Sequence, residues 1–188
     1  MKRIVIFASG SGSNALNLIK HFNQGDKARV VAVFTNKRDA GVVQKAIDNK
    51  VDVAFFDRND FYQGDTVIQK VLAYAPDIIV LAGFLWLVPV DFIKAFHGRI
   101  INLHPALLPK FGGKGMYGSK VHKAVLEAGE KETGITVHMV NEAYDKGEAI
   151  WQESFTIEPG DSVESIEERI HALEHRVLPK AVEKFLGL

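Results

Sequence analysis

The sequence contains no cysteine. A disulfide framework, a thiolate nucleophile and a cysteine-based metal site are therefore all excluded. An excess of charge of either sign is missing too. Lys plus Arg number 23 and Asp plus Glu number 23, so the formal net charge is zero with neutral histidines. No single-sign field is available to attract nucleic acid or a membrane surface in general, although a local anion site remains open. Long apolar runs are lacking as well. The richest stretch, Ile78 to Val90, is interrupted by Gly83 and Pro89, and nothing reaches the length of a membrane span. The basic start Met1-Lys2-Arg3 is followed by an apolar run that stops at Gly10 and Ser11, too soon for a secretory leader. No Gly-x-Ser-x-Gly elbow offers a serine nucleophile, and the histidines lack ligand spacing such as His-Glu-x-x-His. The expectation is a cytoplasmic enzyme without a metal, acting on small molecules rather than nucleic acid, as a monomer or a homodimer.

What is present is a regular alternation of strand and helix patterns. The 188 residues are 47% hydrophobic and 24% charged, enough for one globular domain over 1–188 with a substantial core. Arg3 to Ala8, Arg29 to Thr35, Val51 to Phe56 and Ile78 to Ala82 read as buried strands. Ala15 to Phe22, Val42 to Asn49, Phe61 to Tyr74 and Phe92 to Phe96 read as the helices between them. The pattern predicts an α/β fold with a Rossmann-like, mostly parallel twisted sheet flanked by helices. Further on, Glu132 to Val140 and Ala149 to Ile157 alternate as two strands around the turn-rich stretch Asn141 to Gly147. They predict an antiparallel hairpin at one sheet edge. Ser119 caps a helix to Ala128, and Asp161-Ser-Val-Glu164 starts a C-terminal helix that Pro179 should kink or split.

Two stretches carry candidate chemistry. Ser9-Gly-Ser-Gly-Ser-Asn14 lies between the first strand and the first helix. Backbone N–H groups and the positive helix end can face an anion there, and the glycines permit close approach. A tight turn with an ordinary Ser or Asn cap would use the same residues. The spacing is neither that of a dinucleotide fingerprint nor that of a Walker loop. Arg99-Ile-Ile-Asn-Leu-His-Pro105 is an apolar strand stopped by the proline. Asn102 and His104 are two residues apart, so their side chains leave on one side at the strand's C-terminal end. Ligands bind at such ends in open α/β sheets.

The string Asn102-Leu-His-Pro-Ala-Leu-Leu-Pro109 closely resembles the Asn-x-His-Pro-Ser-Leu-Leu-Pro signature of folate-dependent formyltransferases. The Ser9 to Asn14 loop resembles that of the branch acting on phosphoribosylglycinamide (GAR), where it holds the ribonucleotide phosphate. The resemblance runs nearly end to end and implies formyl transfer from 10-formyltetrahydrofolate, the co-substrate, to the amine of GAR. It implies Asn102, His104 and Asp145 as the catalytic group, the last from the match of Asp145-Lys-Gly147 to the family's Asp-x-Gly loop. It also implies Gly12, Ser13, Asn14 and Glu174 at the ribonucleotide. Leu85, Trp86, Leu87 and Val88, with Asn102, would line the folate pocket. Trp86 stands where the family often carries Arg. Thr136-Val-His138 matches a family segment near the active site. Asp145 close to His104 would favour imidazolium and raise the pKa of His104. The glycine-rich run Lys110 to Gly118 would form a mobile loop able to close over ligand. Two alternatives remain: a formyltetrahydrofolate hydrolase, which would usually carry a further domain, and a phosphate-binding protein without formyl transfer.

Overall fold

The computed structural model describes residues 1–142 and 145–188. Ala143 and Tyr144, in the middle of the turn-rich stretch read from the sequence, lie outside the described residues. The strands are β1 (Lys2–Phe7), β2 (Ala28–Thr35), β3 (Asp52–Phe55), β4 (Ile78–Leu81), β5 (Ile100–His104), β6 (Glu132–Met139) and β7 (Ala149–Thr156). They form one seven-stranded sheet in the order β3-β2-β1-β4-β5-β6-β7. The helices are α1 (Ser13–Phe22), α2 (Gly41–Asp48), α3 (Arg58–Tyr62), α4 (Thr66–Leu72), α5 (Val90–Ala95), α6 (Ser119–Glu127) and α7 (Val163–Leu186). The α/β class and the C-terminal hairpin agree with the sequence reading. The chain divides into two compact units, 1–101 with 186–188, and 102–185.

In the first unit β1 pairs in parallel with β2 and with β4, and β2 with β3. Parallel strands covered on both faces must be apolar throughout, and Ile4 to Phe7 and Ile78 to Val80 are fully buried. After β1 the chain crosses to β2 on one side, whereas β4 lies on the other. The strand order therefore reverses beside β1, and the loops leaving β1 and β4 flank a topological switch point, the usual ligand crevice of such sheets. Phe61 to Tyr74 is not one helix. Gly64 has φ +91°, which no helix accommodates. Asp57 and Asp60 form a reciprocal capping box that starts α3 separately. Leu72, in the last turn of α4, is exposed.

In the second unit β6 and β7 pair antiparallel. Gly134 is required there, because a Cβ at that position would lie 2.0 Å from the Glu153 carbonyl oxygen. Gly118, not Ser119, occupies the N-cap of α6, without a side-chain capping bond. Pro179 lies inside α7 and does not split it. Leu178, Pro179, Ala181 and Val182 are all buried, and burial of that stripe outweighs the one backbone bond a proline removes. Among the described residues, no helix is long and apolar enough to cross a membrane.

Candidate active site

In the first unit, the loop after β1 has Gly12 at φ +75° as the N-cap of α1, and no side chain caps the helix. The ordinary Ser or Asn cap left open by the sequence is thus not formed. The first-turn N–H groups of Ser13 and Asn14 stand at the positive end of the helix dipole. A Cβ on Gly12 would come within 2.5 Å of the Val42 Cβ and 2.6 Å of its Cα, so the glycine also lets α2 pack against the loop. The Val42 N–H donates to the Gly10 carbonyl (3.2 Å). Lys45 donates to the Ser11 carbonyl (2.6 Å), bringing a cation to the loop. Sequence reasoning missed Lys45, because only the packing of α2 beside the loop reveals it.

The loop after β4 is tied to the one after β1. The Ser9 N–H donates to the Gly83 carbonyl (3.1 Å). The Ser9 hydroxyl accepts from the Leu85 N–H (3.2 Å) and donates to the Asn36 amide oxygen (2.7 Å). Of the four predicted folate-loop residues, Leu85 and Leu87 are 47% and 56% exposed, Trp86 is half-buried and Val88 is buried. Two exposed leucines in one short loop form apolar surface available to a ligand. Trp86 packs near Phe56, Phe61, Tyr62 and Phe84, with ring centroids 6.0–6.4 Å away. The Arg58 guanidinium lies over Tyr62 (5.2 Å) and Trp86 (5.6 Å). Arg58 was not singled out from sequence. Its position over Trp86 depends on the capping box that starts α3 at residue 58.

In the second unit, Asn102 and His104 lie on β5 as their spacing requires, and Asp145 comes to them. His104 is 3% exposed. Its Nε2 lies 2.8 Å from the Phe111 carbonyl oxygen and its Nδ1 3.8 Å from Asp145 Oδ2. Asp145 Oδ2 accepts from the Gly113 N–H (2.8 Å). Thr136 anchors the turn after β5. Its hydroxyl donates to the Ala106 carbonyl (2.7 Å) and accepts from the Leu108 N–H (3.1 Å) and Gln152 Nε2 (2.9 Å). His138, on β6, lies 3.1 Å from the Asn102 amide nitrogen and 3.5 Å from Asp145 Oδ1. Glu174, on α7, is only 7% exposed. Among the described residues no three His, Asp or Glu side chains are grouped to hold a metal ion.

The electrostatics correct one expectation. Burial pushes the His104 pKa below its ordinary value; Asp145 and the Phe111 carbonyl oppose that shift without overcoming it, and His138 adds to it. The imidazole of the free protein is therefore biased toward the neutral form, not the imidazolium expected from Asp145 alone. Burial works the other way on Asp145. It is outweighed by the pull of the adjacent His138 ring, by the Gly113 N–H bond and by any positive charge on His104 or His138, which hold the carboxyl below its usual range.

Residues 2–182 match the family model described as "Formyl transferase". The chain belongs to the formyl transferase family. This family member is 38% identical over 187 residues to the chloroplastic phosphoribosylglycinamide formyltransferase of Arabidopsis thaliana, covering 96% of this chain and 64% of that protein. It is 35% identical over 190 residues to the phosphoribosylglycinamide formyltransferase of Haemophilus influenzae, covering 98% of this chain and 87% of the relative. Among solved structures, glycinamide ribonucleotide transformylase 1 from Geobacillus kaustophilus matches with a TM-score of 0.90, 35% identity and full coverage of both chains.

Proposed function

We infer that this chain transfers the formyl group of 10-formyltetrahydrofolate to the primary amine of GAR, a step of de novo purine biosynthesis, with residues 1–188 serving as one formyltransferase domain. The observation that carries the reading is the convergence of Asn102, His104 and Asp145 within one unit, in a chain similar nearly end to end to GAR formyltransferases. The amine attacks the formyl carbon and forms a C–N bond. The carbonyl oxygen becomes negative, and the bond to the folate nitrogen then breaks. A proton leaves the attacking nitrogen and one arrives on the departing nitrogen, so the reaction needs no redox partner and no covalent enzyme intermediate.

Asn102 is the non-titrating donor to the oxyanion. His104 begins neutral. The carbonyl of Phe111 only accepts, so Nε2 carries the proton, and Nδ1 holds a lone pair toward Asp145. Uptake of a proton puts N–H groups against acceptors on both sides of the ring. Asp145 thus favours the charged form when the proton arrives, while burial holds the pKa below its ordinary value and readies the ring to give the proton up again. Gly12, Ser13 and Asn14 offer backbone N–H groups to the ribonucleotide phosphate, supported by Lys45. Glu174 is the acceptor for the ribose hydroxyls. The apolar loop Leu85, Trp86, Leu87 and Val88 receives the pterin, with Arg58 over the Trp86 ring beside it.

Calorimetric titration separates the alternatives. The reading expects saturable binding of both 10-formyltetrahydrofolate and GAR. A protein that binds GAR but not folate would be a phosphate-binding relative without formyl transfer, and formate release without GAR would be a hydrolase.

A further inference from the structure

An asparagine amide presents an oxygen on one side and a nitrogen on the other. A site that needs a donor at the oxyanion must prevent the amide from turning over, because the wrong face would set an oxygen against a developing negative charge. The neighbour that fixes the amide must be unable to satisfy both orientations.

His138 meets that requirement through its own bonds. It is 2% exposed. Its Nδ1 lies 2.9 Å from the Met139 carbonyl oxygen. A carbonyl only accepts, so Nδ1 carries a proton. Its Nε2 lies 3.1 Å from the Asn102 Nδ2. An amide nitrogen only donates, so Nε2 holds a lone pair. The two contacts together select one species, the neutral imidazole with the proton on Nδ1. We propose that His138, as this tautomer, is a positioning residue that locks the Asn102 amide with its nitrogen toward Nε2, leaving the second Nδ2 proton for the oxyanion. The inference rests on the reading of Asn102 as the oxyanion donor.

Two titratable groups from other elements bear on His138. Asp145, from the loop after β6, has Oδ1 3.5 Å from the same Nε2. His104, from β5, is coupled to it by charge. Protonation of Nε2 would turn it into a donor facing the two donors of the Asn102 amide. The amide would then have to turn over, and the proton on Nε2 would go to the carboxylate. His138 can hold the amide in this way only while Nε2 carries no proton.

The ¹⁵N shifts of the wild-type imidazoles test the species directly. At neutral pH the His138 ring is expected to show a protonated Nδ1 and a bare Nε2. An imidazolium, or the reverse tautomer, overturns the proposal. The second test is kinetic, on full-length variants whose folding is checked by circular dichroism. His138→Gln keeps an acceptor oxygen where Nε2 stood and is expected to hold kcat within about threefold of wild type. His138→Leu removes the acceptor and is expected to lower kcat about ten- to a hundredfold, less than the loss of a whole oxyanion donor, with KM for both substrates nearly unchanged. In an Asn102→Ala background the same His138→Leu change is expected to cost almost nothing further. If Asn102→Ala alone keeps wild-type kcat, the reading of Asn102 falls and the inference with it. If Asn102→Ala is slow and His138→Leu multiplies the loss by its full factor, only the inference falls. A His138→Gln protein as slow as His138→Leu also overturns it.

Discussion

His104 sits between a carbonyl and a carboxylate, at 2.8 Å and 3.8 Å, inside a nearly closed environment. Asp145→Asn keeps the shape and removes the charge that opposes desolvation, so the His104 pKa should fall further. An NMR pH titration of the His104 ring checks the direction. Turnover should fall by about 10²–10³ if the pair works as one unit, and the double variant His104→Ala with Asp145→Ala should be little worse than the worse single one. Fully multiplicative losses would reduce Asp145 to a turn residue. Trp86 calls for a different expectation. Its ring carries the Arg58 guanidinium, so Trp86→Arg would set two cations together and unseat Arg58. KM for the folate should rise, while kcat stays within about tenfold, a barrier change below ~1.4 kcal/mol. Steady-state kinetics with the folate varied separates the two. At this scale the sequence showed Asn102 and His104 through strand spacing, and Asp145 only through the resemblance. Lys45, Arg58 and the contact of His138 with Asn102 depend on which elements pack together, which spacing along the chain does not encode.

At the scale of elements, the loop after β1 serves two ends at once. Gly12 was expected to matter for the approach of a ligand to the backbone. Its surroundings add a packing reason, because a side chain there would overlap Val42 of α2 at 2.5 Å. Gly12→Ala is therefore expected to cost about 1–3 kcal/mol in unfolding free energy from overpacking, beyond the strain of a positive φ. Ribonucleotide binding should weaken more than folate binding. Urea denaturation together with separate titrations of the two ligands measures both, and equal weakening of the two ligands in a folded variant would remove the loop from the phosphate site. The buried parallel strands were legible because a continuous apolar run has few other uses. The single helix expected over Phe61 to Tyr74 was misread, since apolar spacing survives across Gly64 while the backbone does not. Of the two outcomes expected at Pro179, the split does not occur, because a buried stripe keeps α7 continuous.

For the whole molecule, burial of histidines sets an acid limit on stability. His104, His122 and His175 all have pKa values lowered chiefly by burial. The unfolded chain takes up protons on these side chains near pH ~6.5, and the folded chain resists them. The unfolded state then binds more protons, so stability falls as pH drops below about 6.5. Asp145 acts lower on the scale. Its depressed pKa contributes stability that is present above the ordinary carboxyl value of ~3.9 and is lost as pH falls through the folded value. Thermal midpoints should therefore decline between about pH 7 and 5 and again in stronger acid. His122→Gln should flatten the first decline, and an unchanged slope in that variant would count against the assignment.

The central claim is the transfer itself, and a labelled formyl group follows it most directly. The chain is incubated with 10-formyltetrahydrofolate carrying ¹³C in the formyl group and with GAR, and the products are read by mass spectrometry and ¹³C NMR. The expected result is label on the ribonucleotide amide, one per tetrahydrofolate released, with turnover only when both substrates are present and with Asn102→Ala slowed by about 10²–10³. Label recovered as free formate whether or not GAR is present, or left on the folate while both ligands bind, would contradict the account.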